Sequence, residues 1–382
     1  MILKNIYLDN AASTLIYDEA YEEMLPLLKE PFNPSSIYSA SQNAKNAAAC
    51  AKRRIASLIK CSDREIYFTS GGTESNNWAL ISAAETLRQK GKHIITQKTE
   101  HHSVINTCKY LEQNGCDVTY LDVDSKGVVK IKDLLDSIRD DTILISIMTA
   151  NNEIGSIQPL KEIGKIAKEK GILFHTDAVS ACGHIPIKVS EMNIDMLSAS
   201  AHKFGGAKGS GFLFIRHGTE LMPLIHGGGQ QRGKRAGTEN VPGIAAMGKA
   251  AEISLERMIE HINYETNLRD HLIKRVITEI PDVILNGDTD NRLPGNISFC
   301  FKNADGESIL ILLDRLGICV SSGSACSSGA GVVSHVLKAT GVSDEDAHGA
   351  LRITLSHNNT IDEIDYFADE LKKILKRLRG ND

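Results

Sequence analysis

Through its first two thirds the chain alternates short, nearly continuously apolar runs with longer segments of helical periodicity. That alternation restricts it to a mainly parallel sheet covered by helices. The runs at 65–70, 92–97, 141–148, 171–177, 195–200 and 211–216 read as strands, with helical patterns at 74–90, 103–114 and 160–170 between them. Strands that are apolar on both sides need both faces covered, and the intervening helices supply the cover. A charged, helix-favouring stretch at 244–280 follows and suits a connector. After it the pattern changes to a strand at 295–301, a helix near 306–316, a strand at 351–356 and an amphipathic helix at 362–379. The expected class is therefore α/β: a large domain built on a mainly parallel sheet flanked by helices, plus a smaller α+β domain. A chain of 382 residues is also longer than one core usually serves.

A net charge of −5 gives no reason to expect a nucleic-acid or membrane partner. No apolar run approaches the length of a membrane span, and the start MILKNIYLDNAAST lacks the layout of a signal peptide. The eight cysteines (50, 61, 108, 116, 182, 300, 319 and 326) form no C-x-x-C pair, so no disulfide framework is expected and a reducing cytoplasm is the expected location. Seven of them sit among apolar or helical neighbours and read as small core residues. Cys326 is different, because it lies in VSSGSACSSGAG, residues 320–331. Serine and glycine cannot build a core, so this segment is predicted to be a mobile, solvated loop. An exposed thiol is a liability unless it is used.

Candidate chemistry lies at the ends of the predicted strands. Asp177, in HTDAVS, closes an apolar strand, where open α/β sheets place ligands. Lys203 follows the run 195–200 and precedes a glycine-rich turn. A carboxylate and a lysine at one cleft could form a plain ion pair. They also match the needs of pyridoxal 5′-phosphate, whose aldehyde takes a lysine and whose pyridinium nitrogen takes an acid. TSGGTESNN, residues 69–77, follows a strand and opens a helix, so the backbone N–H groups of Gly72 and Thr73 are placed to hold a phosphate. His101, in KTEHHSV, stands at another strand-to-helix junction, either as a satisfied polar residue or as an imidazole stacked on a cofactor ring. His101 and His102 make a poor metal motif, since neighbouring residues point apart and no third ligand is suitably spaced, so no metal is expected. ANNEIG, residues 150–155, adds amides at the end of the 141–148 strand.

Taken together, YLDNAAST, NPSS, TSGGTESNN, TEHHSV, NNEIG, HTDAVS, SAHKFGGAKGSG, HGGGQQRGKRAGTENVPG and SSGSACSS resemble, nearly end to end, a cysteine desulfurase of the NifS/IscS-like group. That group lies within the class V aminotransferases, pyridoxal-phosphate enzymes of fold type I. The resemblance implies that Lys203 forms the Schiff base, Asp177 pairs with the pyridinium and His101 stacks on the ring. Gly72, Thr73, Ser200 and His202 would hold the phosphate, with Asn152 and Ser180 also at the cofactor. Thr238 would reach the phosphate of a neighbouring subunit, which implies a homodimer. Arg352 and Asn152 would bind the carboxylate of L-cysteine, a task suited to the planar fork of arginine. Residues 16–254 would form the large domain, and 1–15 with 255–382 the small one, carrying the catalytic loop at about 321–333. Cys326 would take sulfur from the substrate as a persulfide and pass it to an acceptor protein, a task that calls for a mobile loop.

The chain departs from the family pattern at four places. Ser180 stands where glutamine is usual. Gly329-Ala330-Gly331-Val332-Val333-Ser334-His335 replaces a stiffer segment after the cysteine. Thr354-Leu355-Ser356-His357 follows the substrate arginine where Ser-Leu-Gly-Arg is usual. Pro31-Phe32-Asn33 lacks the customary glycine, and Tyr38 stands where histidine is common. Two other readings are a selenocysteine lyase, which need not depend on the loop thiol, and a cofactor-free sulfur-relay or scaffold protein on the same fold.

Overall fold

The structure is a computed structural model that describes residues 5–322 and 333–380. The chain enters through the short strand β1 (Ile6–Tyr7) and two helices, α1 (Asp18–Lys29) and α2 (Gln42–Ile59). β2 (Ile66–Thr69) leads into α3 (Gly72–Thr86), β3 (His93–Gln97) into α4 (His102–Gln113), and β4 (Asp117–Leu121) into α5 (Ile131–Ser137). β5 (Thr142–Ser146), α6 (Leu160–Lys170), β6 (Leu173–Asp177), β7 (Met196–Ser200) and β8 (Gly211–Ile215) follow. These strands form a seven-stranded sheet of order β2-β8-β7-β6-β5-β3-β4. β4, β3, β5, β6 and β7 run parallel, whereas β8 is antiparallel to both β7 and β2. Every residue of β3, β5, β7 and β8 is buried, as strands covered on both faces must be. The carboxyl ends of β3, β5, β6 and β7 therefore lie side by side along one edge, beside the switch in strand order at β3.

α7 (Val241–Glu279) is entered through Asn240, whose side chain accepts from the Gly243 N–H, and through Pro242 in the first turn. Its first half buries Ala246, Met247 and Ala250 in the core beside the large sheet. Its second half buries Leu268, Leu272 and Val276 in a separate core. That second core covers an antiparallel sheet of β9 (Val283–Leu285), β10 (Asn296–Phe301) and, later in the chain, Ala350–Thr354, with β10 in the centre. Between them lie α8 (Gly306–Asp314), β11 (Ile318–Cys319), α9 (His335–Ala339) and α10 (Asp344–Ala347); the third strand is thus β12. β1 pairs in parallel with β11 and ties the N-terminus to this region. α11 (Ile361–Leu378) closes the chain, its start fixed by a capping box of Thr360 and Glu363 and its last turn carrying Lys376 and Arg377.

The expected strands and helices are present, with ends shifted by a few residues. β1, α1, α2, β4, α5, β9, β11, α9 and α10 are additions to that expectation. α1 carries Pro26 internally and buries only Ala20 and Leu27, so its apolar stripe is faint. The buried face of α2 is half alanine, Ala44, Ala51 and Ala56, and gives a weak periodic signal. β4 lies at the sheet edge and is mostly half-buried, so it shows no apolar run. Cys108, Cys182 and Cys300 are buried as expected, but Cys50, Cys61, Cys116 and Cys319 are only half-buried, and all seven are free. Among the described residues no helix is long and apolar enough to cross a membrane.

Candidate active site

A cleft of about 280 Å³ opens where β5, β6 and β7 end. Lys203 enters it from a single 3₁₀ turn, Ala201–Lys203, that follows β7 directly. The N-terminal segment lies across this turn: Thr14 N–H donates to the His202 carbonyl at 2.8 Å, and Gly205 N–H to Thr14 Oγ1 at 2.8 Å. Gly205 is required here, since its φ is +83° and a Cβ would stand 2.3 Å from the Tyr17 ring. Lys203 Nζ donates to the carbonyls of Ala11 and, at 3.0 Å, Ala12. Burial, with the charges of Lys203 and Lys208 adding to it, pushes His202 down to about 4, so that imidazole is neutral.

Asp177 closes β6 and is 4% exposed. Its Oδ1 accepts from the Val179 N–H at 2.9 Å and its Oδ2 from Asn76 Nδ2 at 2.6 Å. The same amide donates to Ser103 Oγ at 2.8 Å, which leaves the Ser103 hydroxyl proton for His101 Nδ1, also at 2.8 Å. Nδ1 accepts the Ser103 N–H as well, so the neutral ring carries its proton on Nε2. Burial lowers the pKa of His101; Asp177 opposes the shift and Lys203 and His102 add to it. Asp177 and His101 are thus set on one rigid chain of donors and acceptors.

α3 begins at the cleft without a side-chain cap, and its acidic first-turn residue Glu74 is engaged by Arg235 at 2.8 Å and by the Ser70 N–H at 2.8 Å. The N–H groups of Gly72 and Thr73 are therefore available to an anion. A Cβ on Gly72 would stand 2.4 Å from Val179 Cγ2, so only glycine lets this helix end approach the turn after Asp177. Arg352, on β12, lines the cleft with its side chain 5% exposed and pairs with Asp9 at 2.8 Å. Its Nε is buried without a hydrogen-bond partner among the described residues, and a bound carboxylate would satisfy it. The fit to pyridoxal 5′-phosphate is good: an uncapped helix end for phosphate, a buried carboxylate for a ring nitrogen, and a lysine on the same cleft.

Asn152, Ser180 and Ser200 line the same cleft. Thr238 is exposed and is not among the residues lining it. Cys326 lies outside the described residues, but the chain on either side of them is anchored close by. Ser321 bridges to Arg352 through paired backbone bonds. Ser334 Oγ donates to Glu153 Oε2 at 2.5 Å, and His335 Nε2 to the Glu100 carbonyl at 2.9 Å. Asn76, Ser103, Asp9 and Glu153 went unassigned in the sequence reading. All four belong to the quoted motifs, and Asn76 lies one helical turn beyond Gly72, on the same face of α3.

The class V aminotransferase profile matches residues 6–367. The chain is 52% identical over 377 residues to the cysteine desulfurase IscS of Dictyoglomus turgidum, covering 98% of this chain and 96% of that protein. It is 50% identical over 378 residues to the IscS of Methanosarcina thermophila, covering 99% and 93%. Among solved structures, a NifS-like protein superposes with a TM-score of 0.92 at 39% identity, covering 98% and 100%. A NifS-like protein from Rickettsia africae gives 0.88 at 34% identity, covering 97% and 99%. With its mostly parallel sheet, helix-end anion cradle and strand-end lysine, the chain belongs to the class V aminotransferase family, among the IscS and NifS-like cysteine desulfurases.

Proposed function

We propose that the chain converts L-cysteine to L-alanine and leaves the sulfane sulfur on Cys326 as a persulfide for an acceptor protein. The observation that carries this reading is the convergence of Lys203, Asp177, His101 and Arg352 on one cleft at an uncapped helix end. Lys203 Nζ would hold pyridoxal 5′-phosphate covalently, with Asp177 at the ring nitrogen and His101 on the ring. Gly72, Thr73, Ser200 and His202 would hold the phosphate, and Asn152 and Ser180 would contact the ring. Bound there, the cofactor supplies an electron sink for the bonds at the substrate Cα.

The residues of the chain do the rest. Arg352, with Asn152, binds the substrate carboxylate and so fixes which bonds face Lys203. Lys203 Nζ carries protons to and from the substrate carbons. His101 carries its proton on Nε2, and a second proton on Nδ1 would form an imidazolium that burial disfavours. Cys326, as thiolate, attacks the substrate sulfur. The Cβ–S bond breaks with its electron pair left on carbon, where a proton replaces sulfur. Carbon is reduced, sulfur is oxidised to the sulfane level, and the proton lost by the Cys326 thiol balances the one gained at Cβ. Thr238, exposed and not among the residues that line the cleft of its own chain, would complete the phosphate site of a second copy in a homodimer. Residues 16–254 would act as the large domain, and 1–15 with 255–382 as the small one.

The test is to give the purified protein L-cysteine without reductant, then measure alanine and the mass of the Cys326 peptide. Alanine together with one added sulfur on that peptide is expected. Cofactor bound through Lys203, with neither product formed, would overturn cysteine as the substrate.

A further inference from the structure

Ala11, Asn152, Ser180 and Lys203 line the cleft and also a second cavity of about 40 Å³. The far wall of that cavity includes Asn10, His184, Glu265 and Asn296. A third void of about 20 Å³ shares Asn10, His184 and Glu265 with it and is closed by Tyr17, His261 and His357. At about 10–15 Å³ for each water, these spaces have room for roughly three waters and one. Their walls carry polar groups among apolar ones such as Leu293, Pro294 and Leu355, and Asn296 Oδ1 is buried with no hydrogen-bond partner among the described residues. The short side chain of Ser180 keeps the passage open where the longer glutamine of the family pattern would reach into it.

Glu265, on α7, is 4% exposed and is the one carboxyl on these walls among the described residues. The groups facing it are known. His184 Nε2 lies 2.7 Å from the Lys203 carbonyl, which can only accept, so the bare nitrogen of this ring is Nδ1. His261 and His357 stack with centroids 4.2 Å apart, and Tyr17 stacks on His357 at 5.4 Å. The backbone N–H of His357 faces the Glu265 carboxyl. Burial keeps His184, His261 and His357 below the usual imidazole range, His357 down to about 4, with Arg257 adding to the shift at His261 and His357 and Glu19 opposing it at His357. Burial pushes Tyr17 up to about 12. Glu265 is pushed up to about 8 by burial, opposed by the His357 N–H, which brings its carboxyl into the range where it exchanges a proton near neutral pH.

We propose that Glu265 is a positioning residue for proton supply, holding an exchangeable proton at the end of a water-filled passage and returning it through water to Lys203 Nζ. This rests on the desulfurase reading. The Cys326 thiol loses its proton and the substrate Cβ gains one at different atoms, so a store that lends a proton and refills from solvent lets the two events separate.

The test uses Glu265→Gln, which keeps size and neutrality, and Glu265→Asp, which keeps an acid. In the full-length holoenzyme, kcat of the glutamine variant falls by roughly tenfold, less than for an acid acting directly, with KM unchanged. Its pH profile also loses the decline above about pH 8 that the wild type and the aspartate variant retain. In cofactor-free protein, the infrared difference between wild type and Glu265→Gln shows a protonated carboxyl at pH 7 that disappears by pH 10. A glutamine variant with the wild-type pH profile, or no such band at pH 7, overturns the role. Wild-type protein that makes no alanine overturns the desulfurase reading instead, a failure seen without any variant.

Discussion

Asn76 Nδ2 stands 2.6 Å from Asp177 Oδ2, a bond that joins α3 to the end of β6 across 101 residues of sequence. Its second hydrogen goes to Ser103 and through that hydroxyl to His101, so one amide sets the expected acid and the expected stacking imidazole together. Asn76→Ala leaves Asp177 with only the Val179 N–H. Hydrogen bonds to charged groups contribute about 1.5–3 kcal/mol, so affinity for pyridoxal 5′-phosphate should fall by roughly tenfold to a hundredfold. Titrating cofactor-free protein and following the absorbance of the bound form measures this. Unchanged affinity would mean that the Val179 N–H suffices to hold the carboxylate.

Gly72 offers a steric test of the anion cradle. An alanine there places its Cβ 2.4 Å from Val179 Cγ2, and valine has little freedom to turn away. Gly72→Ala should destabilise the protein by about 1–3 kcal/mol and weaken cofactor binding, because the strain falls on the turn that donates to Asp177. Adding Val179→Ala removes the clash and should restore most of both losses. A double variant no better than Gly72→Ala would place the cost elsewhere.

Cys326→Ala separates two kinds of turnover. If sulfur must pass to this thiol, the variant should bind cofactor normally, make no alanine from L-cysteine beyond background, and still process L-selenocysteine, whose selenium leaves more readily. Product assays on both substrates decide it. Normal cysteine turnover in the variant would remove Cys326 from the reaction.

Lys203 and Asp177 could be read from the chain because Asp177 ends an apolar strand and Lys203 stands one turn beyond the end of another, and a polar residue at such a position has few structural reasons to be there. The large sheet was readable for the same reason: strands buried on both faces write continuous apolar runs. What escaped were relationships that only the fold creates. Asn76 meets Asp177 across the sheet edge, and Ser334 meets Glu153 across 181 residues. Glu265 lies in a charged helical stretch that looks solvent-facing, yet α7 turns it inward at the junction of the two cores. The alanine face of α2 was hidden in another way, because it packs by closeness and not by large apolar side chains.

Glu153 makes a pH prediction with a definite sign. It is 8% exposed and accepts from Ser334, whose hydroxyl oxygen also receives the Val336 and Leu337 N–H groups at the start of α9. Burial pushes its carboxyl up to about 7, with the Ser334 bond and the Arg352 charge pulling the other way. A carboxyl whose folded pKa is raised contributes stability that is complete below the unfolded value near 4.5 and lost as pH climbs through the folded one. Across that window the unfolded chain has released the proton and the folded chain has kept it. Stability should therefore drop by about 1.4 kcal/mol per pH unit, on the order of 3 kcal/mol in all. Glu153→Gln cannot titrate and lacks this slope, while Glu265 and the buried Glu100 titrate alike in both proteins and cancel. Urea midpoints at pH 5, 6, 7 and 8 should show the variant gaining on the wild type up to about pH 7 and level thereafter. Parallel curves would mean that Glu153 is ionised in the folded protein and that the Ser334 bond is made to a carboxylate.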